Sequence, residues 1–314
     1  MSVRGEGGGR AQWGDLPERV RDAVAHVLGS PVVRAASQAG GFSPGSADRV
    51  VTATGRRAFV KSLDGGRYPG SDDFHRREAR VLGALPAGLP VPALLALVEQ
   101  DGWVTLVTED VDGDTPALPW RPPAVEAALD ALGSLAAAPL PPALRELLPR
   151  ADVDVAHDFA GFERLLGDPW PELARTHPWA AARLEPLVDL ARRGVEVLEG
   201  DALVHGDVRA DNLVQRRDGT VVVVDWPHAM VGSPLFDVVG LLLNVRLSGS
   251  DVDVDGLLAE RLPGADDDAT AVLAGMAAYF TDAGRQPPVP GLPALRAFQA
   301  AQAEVALAWL RERC

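Results

Sequence analysis

Asp207, Asn212 and Asp225 combine residue types and spacing that can do chemistry. They lie in Leu203-Val204-His205-Gly206-Asp207-Val208-Arg209-Ala210-Asp211-Asn212-Leu213-Val214 and, after a turn at Arg217-Asp218-Gly219-Thr220, in Val221–Val224 followed by Asp225-Trp226. Asp207 and Asn212 stand five apart, and Asp225 follows thirteen residues later at the end of an apolar strand. A carboxylate such as Asp207 can accept the proton of an attacking hydroxyl. The amide oxygen of Asn212 and the carboxylate of Asp225 are hard oxygen ligands of the kind Mg²⁺ takes alongside phosphate oxygens. Arg209 can stabilise charge on a transferring group. Together these residues suit phosphoryl transfer. Taken singly, Asp207 and Asn212 are also ordinary turn formers, and Asp225 an ordinary strand-end cap. All of them in this order and spacing are harder to read that way.

A second signal is Lys61, the one lysine in a chain whose other 29 basic residues are arginine. Lysine is a compact point charge on a flexible stem, where arginine is a planar fork. Lys61 ends the strand-like Ala58-Phe59-Val60, downstream of a glycine-rich stretch, Gly40-Gly41-Phe42-Ser43-Pro44-Gly45-Ser46.

These residues must be positioned by two differently built halves. Leu16, Val20, Val24 and Val27 predict a helix over 12–28. Strands are predicted at Arg49–Ala53 and Ala58–Leu63, joined by Thr54-Gly55-Arg56. A helix opens at Asp72-Asp73, where acidic residues favour its N-terminus, and runs to Leu85. Two more strands, Leu94–Glu99 and Trp103–Thr108, turn at Gln100-Asp101-Gly102. From Pro116 onward the chain reads as helices at 122–138, 142–149, 158–166, 179–199, 234–247, 268–283 and 293–312. The expected organisation is an N-terminal lobe over residues 1–108, disordered over 1–12, a hinge at 109–115 with Gly113 as pivot, and a C-terminal lobe over 116–314.

His-Gly-Asp-Val-Arg-Ala-Asp-Asn followed by Val-Val-Asp-Trp resembles the catalytic loop and metal strand of the aminoglycoside phosphotransferase family, relatives of the protein kinases. The resemblance covers residues 35–240. It implies an α+β, bilobal, protein-kinase-like fold: a small antiparallel-sheet N-lobe carrying one helix and a larger, mainly helical C-lobe. It implies ATP and Mg²⁺ as cofactors, Asp207 as catalytic base, and Asn212 and Asp225 as metal ligands. Lys61 becomes the lysine of the α- and β-phosphates and Glu78 its ion-pair partner. Gly41, Phe42 and Ser43 form the lid over the phosphates, and the backbone of Glu109 and Val111 holds adenine. His205 and Asp237 brace the catalytic loop, and Trp226 and His228 border the substrate.

The implied activity is transfer of the γ-phosphoryl group of ATP to a hydroxyl of a small molecule, an aminoglycoside-like antibiotic among the candidates. Macrolides, nucleoside antibiotics, choline, homoserine and sugars are open as acceptors, and fold does not choose between them. A non-catalytic nucleotide-binding regulator of the same fold is a further alternative, as is a metal-dependent hydrolase, which would leave Lys61 without a task. Asp237 follows Asp225 by only twelve positions, too few for a peptide-docking platform, which points to a small-molecule acceptor.

Charge narrows the partners. Residues 1–110 are neutral overall, so residues 111–314 carry the whole net charge of −14. That disfavours nucleic acid. It can draw a cationic acceptor by focusing the field in a cleft, or serve only solubility, since Asp251, Asp253, Asp255 and Asp266–Asp268 read as solvated loops. The single cysteine is Cys314, which leaves no intrachain disulfide. No apolar run is long enough to span a bilayer, and the N-terminus lacks the apolar core of a signal peptide. A cytoplasmic monomer or homodimer is expected.

Overall fold

The structure, a computed structural model, describes residues 11–38, 45–68, 70–289 and 292–314. A five-stranded antiparallel sheet forms the first layer. Its strands are β1 (Val32–Ser37), β2 (Ser46–Thr52), β3 (Arg57–Asp64), β4 (Leu94–Gln100) and β5 (Trp103–Thr108), in the order β1-β2-β3-β5-β4. β1 lay outside the sequence prediction: its Val-Val-Arg-Ala-Ala-Ser run sits at an edge with most side chains exposed, so no apolar alternation marks it. Helix α1 (Glu18–Leu28) lays Val24 and Leu28 on Val50, Ala58, Val60 and Val107 of the sheet. It starts six residues later than expected, just after Pro17. Of the stretch expected to be disordered, Ala11 and Gln12 are described. The Gln12 N–H donates to the Asp15 carboxylate at 2.9 Å, which opens a single helical turn.

Helix α2 (Asp72–Ala84) crosses beneath the sheet, and its Val81 and Leu82 join the core of the helical lobe. That core is built by α3 (Pro122–Ala136), α4 (Leu184–Glu196), α5 (Leu235–Leu247), α6 (Asp266–Gly284) and α7 (Leu295–Arg313). The helices expected at 158–166 and 179–199 are each broken in two, into Ala156–Phe159 and Gly161–Gly167, and into Pro178–Ala181 and α4.

Two short hairpin-like pairs carry the chemistry-bearing segment. β6 (Ala202–Val204) pairs with β9 (Met230–Gly232), and β7 (Leu213–Gln215) with β8 (Val221–Val223). The pairing brings the ends of the 205–212 loop and the residue after Val224 to one place. The lobes are stitched together around residues 110–114. Buried Asp110 accepts from Arg57 Nε at 2.8 Å, and Arg49 donates to the Gly113 carbonyl at 3.0 Å. Gly113 is held by packing: a Cβ there would sit 2.3 Å from the Gln215 carbonyl oxygen, so only glycine admits this approach.

The acidic segments read from sequence as solvated loops prove to be largely helix N-termini. Asp253 accepts from the Gly256 N–H at the start of a helix over Val254–Arg261, and Asp266–Asp268 open α6. Carboxylates are favoured at both places because backbone N–H groups are unpaired there and the helix dipole is positive.

Candidate active site

Asp237, in the first turn of α5, organises the 205–212 loop from below. One carboxylate oxygen accepts the His205 N–H at 2.6 Å and the other accepts the Gly206 N–H at 2.9 Å. Burial pushes the Asp237 carboxyl above its ordinary range, against the pull of His205 and the two N–H donors. Gly206 has φ +86°, and a Cβ would stand 2.3 Å from the His228 carbonyl oxygen, so the backbone can turn here only without a side chain. His205 is buried, with Nε2 3.0 Å from the Val224 carbonyl and Nδ1 accepting the Asp207 N–H at 3.3 Å. Both ring nitrogens are thus committed to backbone, as a side chain that fixes loop shape requires.

Past this brace the loop presents Asp207 to a cleft. Asn212 donates its amide hydrogens to the Asp207 carbonyl at 2.8 Å and carboxylate at 3.0 Å. The amide oxygen of Asn212, a residue only 4% exposed, takes no part in these bonds. Arg209 grips Asp211 through Nε and Nη2 at 3.1 and 3.0 Å, lies 3.7 Å from Asp207, and passes over the Phe298 ring at 5.6 Å. Burial works against its charge, and Asp207 and Asp211 more than restore it.

Opposite the loop, Lys61 on β3 lies between two carboxylates. Its Nζ is 2.9 Å from Glu78 Oε2 on α2 and 2.6 Å from Asp225 Oδ1. Burial alone would lower the Lys61 pKa; Asp225 and then Glu78 overcome it and drive the ammonium well above its ordinary value. Burial would also raise Asp225, but Lys61 holds that carboxyl well below the usual range. Glu78 is only 3% exposed, and burial raises its carboxyl against the attraction of Lys61. Asp225 itself has φ +71°, a left-handed conformation that costs a non-glycine residue about 1 kcal/mol. Such strain at a charged residue facing a cleft makes Asp225 a candidate functional position.

The family model for the phosphotransferase enzyme family matches residues 41–279. The chain belongs to that family. Solved structures that share this phosphotransferase's fold include the following three. An aminoglycoside phosphotransferase, APH(4)-Ia, in ternary complex with AMP-PNP and hygromycin B, is 18% identical with TM-score 0.62, over 95% of this chain and 99% of that one. Spectinomycin phosphotransferase, APH(9)-Ia, in complex with ADP and spectinomycin, is 11% identical with TM-score 0.66, over 95% and 98%. An aminoglycoside phosphotransferase from Alicyclobacillus acidocaldarius is 18% identical with TM-score 0.56, over 88% and 91%. No curated protein matches the chain. The fold is the bilobal, protein-kinase-like one expected.

In this phosphotransferase Lys61, Glu78, Asp207, Arg209, Asp225, His228 and Asp237, all singled out from sequence, line one cavity of about 580 Å³ together with Ser46, while Asn212 and His205 lie behind it. Gly41, Phe42 and Ser43 lie outside the described residues. Ser46, at the end of the same glycine-rich stretch, keeps a buried hydroxyl with no hydrogen-bond partner among the described residues and lines the same cavity as Lys61. The Glu109 N–H donates to the Ala93 carbonyl at 2.8 Å, which leaves its carbonyl and the Val111 N–H as the backbone groups able to meet a base; neither residue lines the cavity.

One expectation is overturned. Trp226, placed near the substrate from sequence, is 0% exposed: its Nε1 donates to the Val223 carbonyl at 2.9 Å and its ring meets His205 edge-on. The left-handed backbone at Asp225 redirects the chain and turns Trp226 into the core beneath the loop. His228 does reach the cleft, exposed and 5.4 Å ring to ring from Phe74.

The sequence reading missed Asn244 on α5, whose amide oxygen accepts both Trp120 Nε1–H at 3.1 Å and the Ala210 N–H at 3.2 Å, fixing the far end of the loop. It also missed Asp154 and Asp158, which line the cavity from the short turns before α4. Their four-residue spacing was the available signal.

Proposed function

We propose that the protein transfers the γ-phosphoryl group of ATP to a hydroxyl of a small molecule, with residues 1–108 binding nucleotide and residues 116–314 binding acceptor. The observation that carries this is the convergence of Lys61, Glu78, Asp207 and Asp225 on one cleft from four segments of the chain, with Asn212 bonded to Asp207 behind it. In the reaction, Asp207 accepts the hydroxyl proton as the acceptor oxygen bonds to the γ-phosphorus. The bond from that phosphorus to the β-γ bridging oxygen breaks, and ADP departs with the electron pair. Lys61, held extended between Glu78 and Asp225, meets the phosphates with a charge already desolvated. A phosphate oxygen would satisfy the buried Ser46 hydroxyl, which has no partner among the described residues. Arg209 lies close enough to Asp207 to neutralise charge at the reacting centre.

The donor set suits Mg²⁺. Asn212 and Asp225 supply two hard oxygens. Among the described residues no cluster of three or more His, Cys, Asp or Glu stands ready to hold a metal alone, as expected for an ion that shares its shell with phosphates and water. When bound, Mg²⁺ neutralises charge on the phosphate oxygens.

An ADP-release assay over a panel of aminoglycosides, macrolides, nucleosides, choline and sugars tests the reading. Asp207→Ala is expected to lower kcat by roughly 10²–10⁴-fold, the usual contribution of a positioned base, while nucleotide binding measured by calorimetry persists. Near wild-type kcat in the variant would show that Asp207 is not the base.

A further inference from the structure

Helix α7 turns one face to the cleft. Leu295, Phe298, Gln299 and Gln302 recur at i, i+3, i+4 and i+7, and all four line the cavity. Farther along the same face, Ala306 and Leu310 are fully buried in the core of the lobe. Gln302 thus stands where the face passes from cavity to core, a position that a hydrocarbon side chain would fill by packing alone. Phe298, one turn before it, lies under the Arg209 guanidinium.

The polar groups of this wall differ in what is left to them. Gln299 is committed at both ends: its Oε1 accepts from Arg296 Nη1 at 2.8 Å, and its Nε2 donates to the Tyr279 hydroxyl at 3.2 Å. Tyr279, on α6, keeps its own O–H to donate. Burial lifts that phenol, and the charges of Asp158 and Asp207 lift it further, so it stays protonated. On α5 the Asn244 oxygen is taken by Trp120 and Ala210, while its NH₂ has no acceptor among the described residues. Gln302 goes further. It is 8% exposed, and neither its oxygen nor its NH₂ has a partner among the described residues. Its amide is not sealed off as the Ser46 hydroxyl is, so the exposure that remains is toward the cavity it lines. An amide buried without a partner is costly, and a group bound in the cavity would remove that cost.

We infer that Gln302 is a specificity-determining residue for the acceptor and reads a neutral oxygen, a hydroxyl or a carbonyl, that accepts from its NH₂. Tyr279, Asn244 and Gln302 leave donors on three helices against one uncommitted acceptor, the Gln302 oxygen. An ammonium only donates, and it would stand one turn from the Arg209 guanidinium. A carboxylate would meet cations that carboxylates already hold, Lys61 by Glu78 and Asp225, and Arg209 by Asp211. A neutral oxygen suits the donors without burying a charge. The inference rests on the proposed phosphotransfer and adds what selects its acceptor.

Two variants of the full-length protein test it. Gln302→Met keeps the length of the side chain and removes the amide. Its urea midpoint is expected to match or exceed that of the wild type, since no bond within the fold is lost. A lower midpoint would give the amide a structural role and overturn the inference. ADP release is then followed with kanamycin, hygromycin B, spectinomycin, erythromycin, uridine and glucose, and the compound with the highest kcat/KM is carried forward. For that compound Gln302→Met is expected to raise KM at least tenfold, with a smaller fall in kcat. Gln302→Glu keeps the shape but replaces the NH₂ by oxygen, and it is expected to raise KM at least as much. A rise in Gln302→Met alone would overturn the neutral-oxygen partner. A KM within twofold of wild type in both variants would overturn the inference and leave phosphotransfer standing. A compound that binds by calorimetry, weakens in Gln302→Met and yields no ADP would remove the phosphotransfer reading and keep the subsite. Failure of every compound to bind overturns the inference.

Discussion

Asp237→Asn tests the claim that loop geometry is held from α5. The wild-type carboxylate offers one oxygen to each of two backbone N–H groups, at 2.6 and 2.9 Å, in a site 5% exposed. An amide has one oxygen, so one N–H keeps its acceptor and the other faces an NH₂. A hydrogen bond to a charged group is worth about 1.5–3 kcal/mol, and the stranded buried donor adds a penalty of similar size. Against this, the neutral amide avoids the burial cost that raises the Asp237 carboxyl. The net expectation is a loss of about 1–3 kcal/mol in urea unfolding followed by circular dichroism, read as a lower midpoint at unchanged m. Gly206 adjoins Asp207, so displacement of its N–H shifts the base. A misplacement near 1 Å can cost about 10²-fold, and kcat is expected to fall at least tenfold while ATP affinity holds. A variant with wild-type midpoint and kcat within twofold would refute the brace.

Lys61→Arg keeps the charge but puts a planar fork where one nitrogen now sits 2.9 and 2.6 Å from two carboxylates; KM for ATP is expected to rise and kcat to drop in the ADP-release assay, and equal kinetics would make the lone lysine incidental. Trp226→Phe is expected to cost about 1 kcal/mol of stability through the lost Nε1–H bond to the Val223 carbonyl, with KM for the acceptor unchanged; a large KM shift would return Trp226 to the substrate site. Asp282 supplies a pH test. Burial raises its carboxyl, but Arg164 and Arg285, at 2.6 and 2.9 Å, prevail and hold it low. A lowered pKa contributes stability above the unfolded value, near 3.9, that is lost as pH falls through the folded one. Asp282→Asn is therefore expected to cost about 1–2 kcal/mol at neutral pH, allowing for screening at partly exposed arginines, with the gap closing on acidification. A pH-independent gap would refute the ion-pair account.

Much of the molecule was legible from residue order. The strands β2 to β5, helix α2 and the long helices of the second lobe announce themselves through apolar period, turn residues and acidic first turns. The loop's candidate residues could be picked out because His205, Gly206, Asp207 and Asn212 are neighbours in the chain, and the Asp225–Asp237 spacing argued against a peptide platform. Edge strand β1 escaped because it buries almost nothing, and the break near residue 182 because an alanine-rich stretch gives no local stop signal, whereas the break near 160 had one in Gly161.

What required the fold was everything depending on which way a side chain faces. Trp226 follows a cleft carboxylate directly yet points into the core, because the left-handed turn at Asp225 redirects the chain. The net charge of −14 is a sum over the sequence, while a substrate meets a field at one place. Folding pairs much of that charge with helix N-termini and arginines and leaves Asp154 and Asp158 at the cleft. Composition adds charges without positions, and Coulomb interactions act through distance and burial.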